Sequence, residues 1–277
     1  MKSLEKLLKS LGVDKIDEKL SVLENYRKGI EDWNKKVNIT KITKKEDFYR
    51  LHYLDSLLCT GSSEFSDATR IIDVGTGGGF PGIPMAVVFP EKKFVLMDAS
   101  RKRLNIIDAL AQELHIKNVE VVHGRAEEMA RKKEYRETFD LCVSRAVANL
   151  STLSEYCLGF VKVGGNMIAY KGPKTEEEIK KAKNAIETMG GRIIRVEGAD
   201  AALKDLEMTE AHKWIYIKKE NLTPNKYPRG GGKPLRSAGE WNGTPPPVSY
   251  AGDSRFDSCA RNYCRMVRWV RRHPHKL

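Results

Sequence analysis

Residues 71–84, IIDVGTGGGFPGIP, pass from a short apolar run into glycine and straight back to apolar residues. Their glycines satisfy two ligand-binding spacings at once, G-x-G-x-G starting at Gly75 and G-x-G-x-x-G starting at Gly77. Glycine lets a backbone turn sharply after a strand and come close to a ligand. The stretch therefore predicts a loop that binds a ligand at the carboxyl end of a parallel strand. A tight turn without a ligand is the simpler alternative.

Two acidic residues beside this loop indicate a ligand that contains adenosine. Asp98 ends the next apolar run, FVLMD, where a carboxylate can accept both ribose hydroxyls of a nicotinamide dinucleotide or of S-adenosylmethionine. A pyrophosphate needs N–H donors at a helix N-terminus, and Pro81 removes one of them. Asp73, just before the glycines, would lie near the charged amino-acid end of S-adenosylmethionine.

Both acids can reach one ligand only if neighbouring strands position them, and the apolar pattern predicts those strands. From residue 70 onward, short apolar runs alternate with helical stretches. The seven runs are RIIDVG, KFVLMDAS, VEVVH, FDLCVS, GGNMIAYKG, RIIRVE and HKWIYIKK. This alternation predicts an α/β fold with a doubly wound, mostly parallel sheet. The last two runs follow each other without a strong helix, which predicts one antiparallel strand at the end.

The segments on either side of this pattern differ from it. Residues 1–60 carry leucines at helical spacing and predict an N-terminal helical region, in which Trp33 is expected to lie in the core. Residues 61–220 make up the predicted α/β domain. Residues 221–277 are basic, rich in Pro and Gly and without apolar periodicity, and they predict an irregular tail.

Composition excludes several classes of protein. No apolar run approaches the roughly 20 residues of a membrane-spanning helix, and the charged N-terminus lacks the apolar centre of a signal peptide, so a cytoplasmic protein is expected. The five cysteines are scattered, which argues against a disulfide framework and against a zinc site. The net charge of +12 suits a polyanionic partner, although eleven Lys/Arg and three Asp/Glu in residues 221–277 account for +8 of it.

The residues that follow the later strands favour S-adenosylmethionine over a dinucleotide. Ala126 and Glu127 come after the third strand, where an adenine amino group could be recognised. Ser144-Arg145-Ala146 comes after the fourth strand, and Tyr170-Lys171-Gly172 ends the fifth. No catalytic histidine or Tyr-x-x-x-Lys stands where hydride transfer would need one. This order resembles the seven-stranded, Rossmann-like class I methyltransferases rather than a dehydrogenase.

Several segments point to one family within this class of methyltransferases. They are NKKVNIT, HYLDSL, IIDVGTGGGFPGIP, VVHGRAEE, VSRAVANL, AYKG and TPNKYPRGGGKPL. Over about residues 1–235 the chain resembles the bacterial 16S rRNA (guanine-N7) methyltransferases of the RsmG or GidB type. The resemblance implies methyl transfer from S-adenosylmethionine to N7 of one guanine in the small ribosomal subunit. We also expect a monomer without a metal ion. Residues 236–277 match nothing in that family.

The resemblance also implies which residues form the site. The expected cofactor-binding residues are Gly75, Gly77, Phe80, Asp98, Ala126, Glu127 and Arg145. Ala126 and Glu127 are expected near the adenine, and Arg145 at the mouth between cofactor and RNA. His52, Asp55 and Ser56 belong to the matching HYLDSL motif, whose role the sequence leaves open.

The implied reaction explains why the sequence shows no obvious catalyst. Guanine N7 carries a lone pair and no proton, so its methylation needs no general base, and proximity can supply most of the acceleration. Methylation of cytosine C5 needs a cysteine nucleophile, and Cys142 lies inside the fourth strand. Adenine-N6 enzymes usually carry Asn/Asp-Pro-Pro-Tyr/Phe where this chain has SRAV.

Arg145 is the catalytic candidate, because it could orient the guanine through O6 or bind an RNA phosphate. A salt bridge from Arg145 to Glu127 or Asp98 is the structural alternative. The candidate RNA contacts are Arg145, Lys171 and His52, together with the lysines of residues 35–45. A solvated Lys171 and a stacked or hydrogen-bonded core histidine at position 52 are equally open.

Two other functions also fit the sequence. The first is a class I methyltransferase that acts on a small molecule. The second is a ribosome-assembly factor that binds the cofactor without turnover. A nicotinamide oxidoreductase fits poorly.

Overall fold

A computed structural model describes residues 1–198 and 212–230, in which seven strands form one sheet. The strands are β1 (Arg70–Val74), β2 (Lys93–Asp98), β3 (Val119–His123), β4 (Phe139–Arg145), β5 (Val161–Lys171), β6 (Gly191–Gly198) and β7 (Lys213–Lys219). Their order is β3-β2-β1-β4-β5-β7-β6, with β1 to β5 parallel and β7 antiparallel to both neighbours. The predicted mostly parallel α/β sheet with one antiparallel strand is confirmed.

The order of the strands reverses between β1 and β4. From β1 the chain runs outward to β2 and β3 on one side, and it returns through β4 to β5 on the other. Open α/β sheets bind ligands at such a reversal, outside the carboxyl ends of the strands. Asp73, Asp98 and Arg145 lie at or next to the carboxyl ends of β1, β2 and β4. The topology therefore brings three candidate residues to the same edge of the sheet.

Helices cover both faces of the sheet. They are α1 (Lys2–Ser10), α2 (Ile16–Asn34), α3 (Lys45–Phe48), α4 (Asp55–Leu58), α5 (Ser63–Ser66), α6 (Gly82–Val88), α7 (Arg101–Glu113), α8 (Ala126–Met129), α9 (Leu150–Leu158) and α10 (Thr175–Thr188). A π-helical turn, Tyr49–Leu54, joins α3 directly to α4. The helical N-terminal region runs past the predicted boundary at residue 60, because α5 ends at Ser66.

Successive side chains of β1 point to opposite faces of the sheet and therefore belong to two separate apolar cores. Ile71 belongs to a core that includes the buried leucines of α1 and α2, whereas Ile72 belongs to a core with α9 and α10 on the other face. The N-terminal helices thus pack against the sheet, and the predicted division into domains stays a prediction. The expectation that Trp33 lies in the core is wrong: its side chain is 38% exposed, since the buried face of α2 ends one turn earlier at Ile30.

Residues 221–230 contain no helix or strand, and arginines fix them to the body of the protein. Arg131 Nε donates to Pro228 O at 2.7 Å, and Arg136 donates to Thr223 O at 2.7 Å. The buried Glu155 carboxylate accepts from Arg229 N–H at 2.6 Å. The irregular tail predicted for residues 221–277 can therefore be followed to Gly230, and its remainder lies outside the described residues.

Composition argued against a disulfide framework and against a membrane-spanning helix, and the described residues can be compared with both expectations. Cys59, Cys142 and Cys157 are free and buried, as expected of reduced core thiols. The other two cysteines lie outside the described residues. Among the helices that the structure describes, none has both the length and the apolar character to cross a membrane.

We expect Gly82→Ala to lower the free energy of unfolding by about 1–3 kcal/mol, the usual cost of overpacking. A Cβ at this position would collide with Leu96 Cδ2 and lie 2.9 Å from Asp73 Oδ2, because α6 packs closely against the sheet. Urea unfolding measures the change. Gly172→Ala is the control, since a Cβ there meets nothing within 4 Å. Equal stability of the two variants would contradict this close packing.

Candidate active site

The glycine loop that follows β1 needs glycine for two physical reasons. Gly75 and Gly77 have φ angles of +75° and +60°, in the left-handed region that favours glycine. A Cβ on Gly75 would also collide with Val147 Cγ2 from the loop after β4. The loop is tied to β2, because Gly75 N–H and Thr76 N–H donate to Met97 O at 2.8 and 3.0 Å.

Asp98 orients its carboxylate toward this loop. Its Oδ2 accepts from Gly77 N–H at 2.9 Å, and its Oδ1 accepts from Ser100 N–H at 2.7 Å. The guanidinium of Arg103 lies 3.5 Å from Oδ1. Each carboxylate oxygen can accept more than one hydrogen bond. The structure therefore brings Asp98 and Gly77 together, and the predicted contact of Asp98 with a ribose stays a prediction.

Asp73 is fully buried behind the loop and is only half satisfied. Its Oδ2 accepts from Thr76 Oγ1 at 2.7 Å and from Gly82 N–H at 2.9 Å. Its Oδ1 has no hydrogen-bond partner among the described residues. Burial raises the pKa of Asp73 to about 6, although these two hydrogen bonds oppose the rise. A buried carboxylate oxygen without a donor suits a ligand that brings a cationic N–H group.

Arg145, at the end of β4, is held by the N-terminal helical region. Its Nη1 donates to Asp55 Oδ2 at 2.9 Å and to Leu51 O at 2.7 Å, and its Nη2 lies 2.9 Å from His52 Nδ1. The predicted alternative, a salt bridge to Glu127 or Asp98, is therefore wrong about the partner. Sequence reasoning missed Asp55 in this role, although the His52-x-x-Asp55 spacing places both residues on one face of a helical turn.

His52 is a buried, neutral histidine. Its ring stacks on Phe80 with centroids 4.1 Å apart and planes at 3°, and only 7% of the residue is exposed. An arginine can only donate, so Nδ1 accepts from Arg145, and Nε2–H donates to Thr40 Oγ1 at 2.9 Å. Burial, and secondarily the charge of Arg145, lower the pKa of His52 to about 3. The core alternative is correct, and the predicted RNA contact of His52 is not supported.

Phe80 packs in the same interior cluster. Its ring is buried against His52, makes edge contacts with Phe48 and Tyr26, and lies 5.6 Å from the guanidinium carbon of Arg145. The ring packs toward the N-terminal helices, and the predicted position of Phe80 against the cofactor stays a prediction. What Phe80 supplies is a platform for His52 and Arg145.

Ala126 and Glu127 start α8, just after β3, and so lie along the sheet edge from Asp98. Gly124, two residues before Ala126, connects this segment to Asp98, since its N–H donates to Asp98 O at 3.2 Å. Glu127 is buried and forms an ion pair with Arg125 at 2.7 Å. Their position fits the predicted contact with an adenine, which stays a prediction.

Lys171 is not a solvated lysine at the end of β5. Its ammonium lies 2.8 Å from Glu178 Oε2 and donates to Ala148 O at 2.6 Å, and its side chain is 8% exposed. These contacts fix the loop between β4 and α9. The charge of Lys171 and two of its three donors are engaged within the protein, and its predicted contact with the RNA backbone stays a prediction.

The lysine-rich segment of residues 35–45 lies beside the glycine loop. Ile39 Cγ2 would be 2.9 Å from a Cβ on Gly78, so the two loops are in contact. Asn34 holds the segment, since its Oδ1 accepts from Ile39 N–H at 2.8 Å and from Thr40 N–H at 3.0 Å. The exposed lysines of the segment are Lys35, Lys36, Lys41, Lys44 and Lys45, of which Lys35 is paired with Asp32 and Lys45 with Glu24.

Comparison with known proteins adds an independent finding. Residues 19–206 match the model of a family described as "rRNA small subunit methyltransferase G", or GidB. The chain is 45% identical over 223 residues to the ribosomal RNA small subunit methyltransferase G of Clostridium novyi, covering 79% of this chain and 90% of the relative. The protein of the same name from Clostridium tetani is 43% identical over 233 residues, covering 82% and 95%.

Solved structures resemble the chain more distantly. A SAM-dependent methyltransferase from Aquifex aeolicus aligns with a TM-score of 0.46 at 18% identity, over 68% of this chain and 97% of that one. A 30S ribosomal A1408 methyltransferase from an uncultured bacterium aligns with a TM-score of 0.43 at 18% identity, over 55% of this chain and 87% of that one.

Asp73→Asn should change how stability depends on pH. Because the folded state raises the pKa of Asp73 to about 6, the wild type loses stability from this group as pH rises from about 4 to about 6. The variant lacks that loss, so its stability relative to the wild type should grow by up to about 3 kcal/mol over this range and then level off. Urea unfolding from about pH 3.5 to about pH 7.5, which covers both pKa values, measures the difference, and a difference that does not vary with pH would contradict the assignment.

Proposed function

The chain belongs to the GidB family of rRNA small subunit methyltransferases, and from this premise we propose that it methylates N7 of one guanine in 16S rRNA. The family supplies the coarser activity, S-adenosylmethionine-dependent methylation of small-subunit rRNA. The choice of guanine N7 rests on the resemblance and on the chemistry of the site. The observation that carries the proposal is the arrangement of Asp73, the glycine loop and Asp98 at the carboxyl ends of β1 and β2.

The residues of this arrangement fit S-adenosylmethionine, which when bound supplies an electrophilic methyl group on a sulfonium. Asp98 would accept the ribose hydroxyls, with its orientation fixed by Gly77 and Ser100. The unpartnered Asp73 Oδ1 would accept from the cationic amino group. Gly75 lets Val147 pack against the loop, since Val147 Cγ2 lies where any side chain at position 75 would begin. Ala126 and Glu127 would border the adenine.

The site provides positioning rather than a nucleophile or a base. The described cysteines are buried, and burial raises the pKa of the Cys59 thiol to about 12. Both ring nitrogens of His52 are already engaged. A nitrogen that carries a lone pair and no proton, such as guanine N7, can react in such a site by alignment alone. We assign Arg145 to positioning, because its guanidinium fixes Asp55 and His52.

The first experiment measures methyl transfer from labelled S-adenosylmethionine to small subunits that lack the modification. We expect a single labelled guanine whose N7 methylation makes the RNA cleavable after borohydride and aniline treatment. Arg145→Lys should slow the reaction at least about tenfold, because an ammonium cannot replace the forked donors that contact Asp55, His52 and Leu51. Binding of S-adenosylhomocysteine should persist in this variant.

The other outcomes of this experiment separate the alternatives. Label on a ring carbon, an exocyclic amine or a ribose would contradict the N7 proposal. Cofactor binding without label in subunits or in free 16S rRNA would contradict an rRNA substrate and favour a small-molecule acceptor or a non-catalytic assembly factor.

We propose that the segment of residues 35–45 binds the RNA backbone, since it carries exposed lysines beside the glycine loop. Replacing Lys36, Lys41 and Lys44 by Gln should weaken binding of small subunits and reduce the dependence of log Kd on log salt concentration by up to about 3. Filter binding between 50 and 300 mM salt measures this slope. The matched control replaces Lys180, Lys181 and Lys183, exposed on α10. Equal slopes in both triple variants would contradict the proposed surface.

The cytoplasmic location and the monomeric state stay predictions.

A further inference from the structure

A cavity of about 510 Å³ opens at the carboxyl ends of β4 and β5. Its lining includes Asp55, Arg145, Val147, Lys171 and His212. Pockets of this size accept a small organic ligand such as a purine base. The cavity is therefore large enough for the base that is to be methylated.

The cavity shares a wall with the glycine loop. Val147 lines the cavity, and its Cγ2 occupies the place where a Cβ on Gly75 would be. Ala146, just before it, has a φ of +57°, which is unusual for a residue with a side chain. This backbone conformation belongs to the turn that carries Val147 over the loop. A base in the cavity would thus lie next to whatever the glycine loop binds.

Most polar groups of the cavity wall are already paired within the protein. Arg145 contacts Asp55, His52 and Leu51, and Lys171 contacts Glu178 and Ala148. Asp55 differs, because Arg145 engages only its Oδ2. Its Oδ1 lies 3.5 Å from His212 Nδ1, and that nitrogen has no hydrogen-bond partner among the described residues. Asp55 is 6% exposed, so its carboxylate is a largely buried acceptor in the cavity wall, held at Oδ2 by Arg145.

The chemistry of N7 methylation explains what a carboxylate could do there. The N7 lone pair forms a bond to the methyl carbon while the carbon–sulfur bond breaks and its electron pair stays on sulfur, so the positive charge of the sulfonium moves to the guanine. As the ring gains charge, N1–H and the 2-amino group become stronger donors. A carboxylate that accepts from them binds the transition state more tightly than the ground state.

We propose that Asp55 Oδ1 accepts hydrogen bonds from N1–H and the 2-amino group of the target guanine in this cavity. The inference rests on the proposed function and deepens it, since it names the residue that recognises the base. Arg145 holds the Asp55 carboxylate in place. The HYLDSL motif, which contains Asp55, thereby acquires a role in binding the guanine that accepts the methyl group.

The test uses reconstituted small subunits that carry guanine or inosine at the mapped position. Inosine keeps N7, O6 and N1–H but lacks the 2-amino group. In single-turnover assays with saturating S-adenosylmethionine we expect the wild type to be about tenfold slower on inosine. Asp55→Asn should be slower on guanine and discriminate between the two bases by less than about threefold.

The control variant is Glu64→Gln. Glu64 is 8% exposed and pairs with the partly exposed Arg195 at 2.5 and 2.8 Å, so it is another buried carboxylate held by an arginine, but it does not line the cavity. We expect Glu64→Gln to lose stability and to keep the wild-type preference for guanine. Calorimetry with S-adenosylhomocysteine should give the same affinity for Asp55→Asn and for the wild type.

Each remaining outcome is decisive. Discrimination between guanine and inosine that is unchanged in Asp55→Asn would overturn the proposal, and so would loss of S-adenosylhomocysteine binding, which would assign Asp55 to the cofactor. If Asp55→Asn does not fold, Asp55→Glu takes its place, because it keeps the charge that pairs with Arg145 but displaces the accepting oxygen, so an unchanged preference for guanine in that variant would overturn the proposal. Equal wild-type rates on guanine and inosine would overturn it as well. Wild-type protein that fails to methylate N7 at all overturns the proposed function itself, a result distinct from the others.

Discussion

The ion pair between Arg145 and Asp55 connects the parts of the molecule on which the site depends. It joins the end of β4 to the start of α4, two positions 90 residues apart in the chain. The same guanidinium reaches His52 and Leu51 in the π-helical turn. Breaking one partner of a buried pair leaves the other charge uncompensated, which is costly. The ion pair thus helps to fix the N-terminal helices beside the glycine loop, together with the stacking of His52 on Phe80 and the shared apolar core.

Three buried carboxylates lie along the edge of the sheet that carries the candidate site. Asp73 and Asp98 flank the glycine loop, and Asp55 lies beyond Arg145. The charge of Arg145 lowers the pKa of Asp73, but burial outweighs it. Because these carboxylates are held by backbone N–H groups and by arginine, little reorganisation is needed when a cation binds. The geometry thus favours a cationic ligand over the pyrophosphate that the same glycine spacing could also have served.

Local spacing was enough to predict part of this site. The glycine pattern and the acid that ends FVLMD identified the loop and Asp98, because both depend on residues close in sequence to a strand end. The partner of Arg145 could not be predicted in that way, since Asp55 reaches it only through tertiary packing. The sequence also does not reveal that the side chains of His52 and Lys171 are buried. Both have residue types that suit RNA binding, yet both are enclosed by neighbours from other elements. Trp33 shows the reverse, because a helical stripe does not reveal where its packing surface ends.

The shared core of the N-terminal helices and the sheet has a consequence for how the chain is made. Leu4, Leu8 and Leu23 are buried in a core that also contains Ile168 and Tyr216. During synthesis the first helices leave the ribosome long before the strands that complete this core. Pairing residues this far apart in sequence costs loop-closure entropy before the contact is made. Arg145 can meet Leu51, His52 and Asp55 once β4 has been made, but the core that supports them is complete only after β5 and β7 have followed.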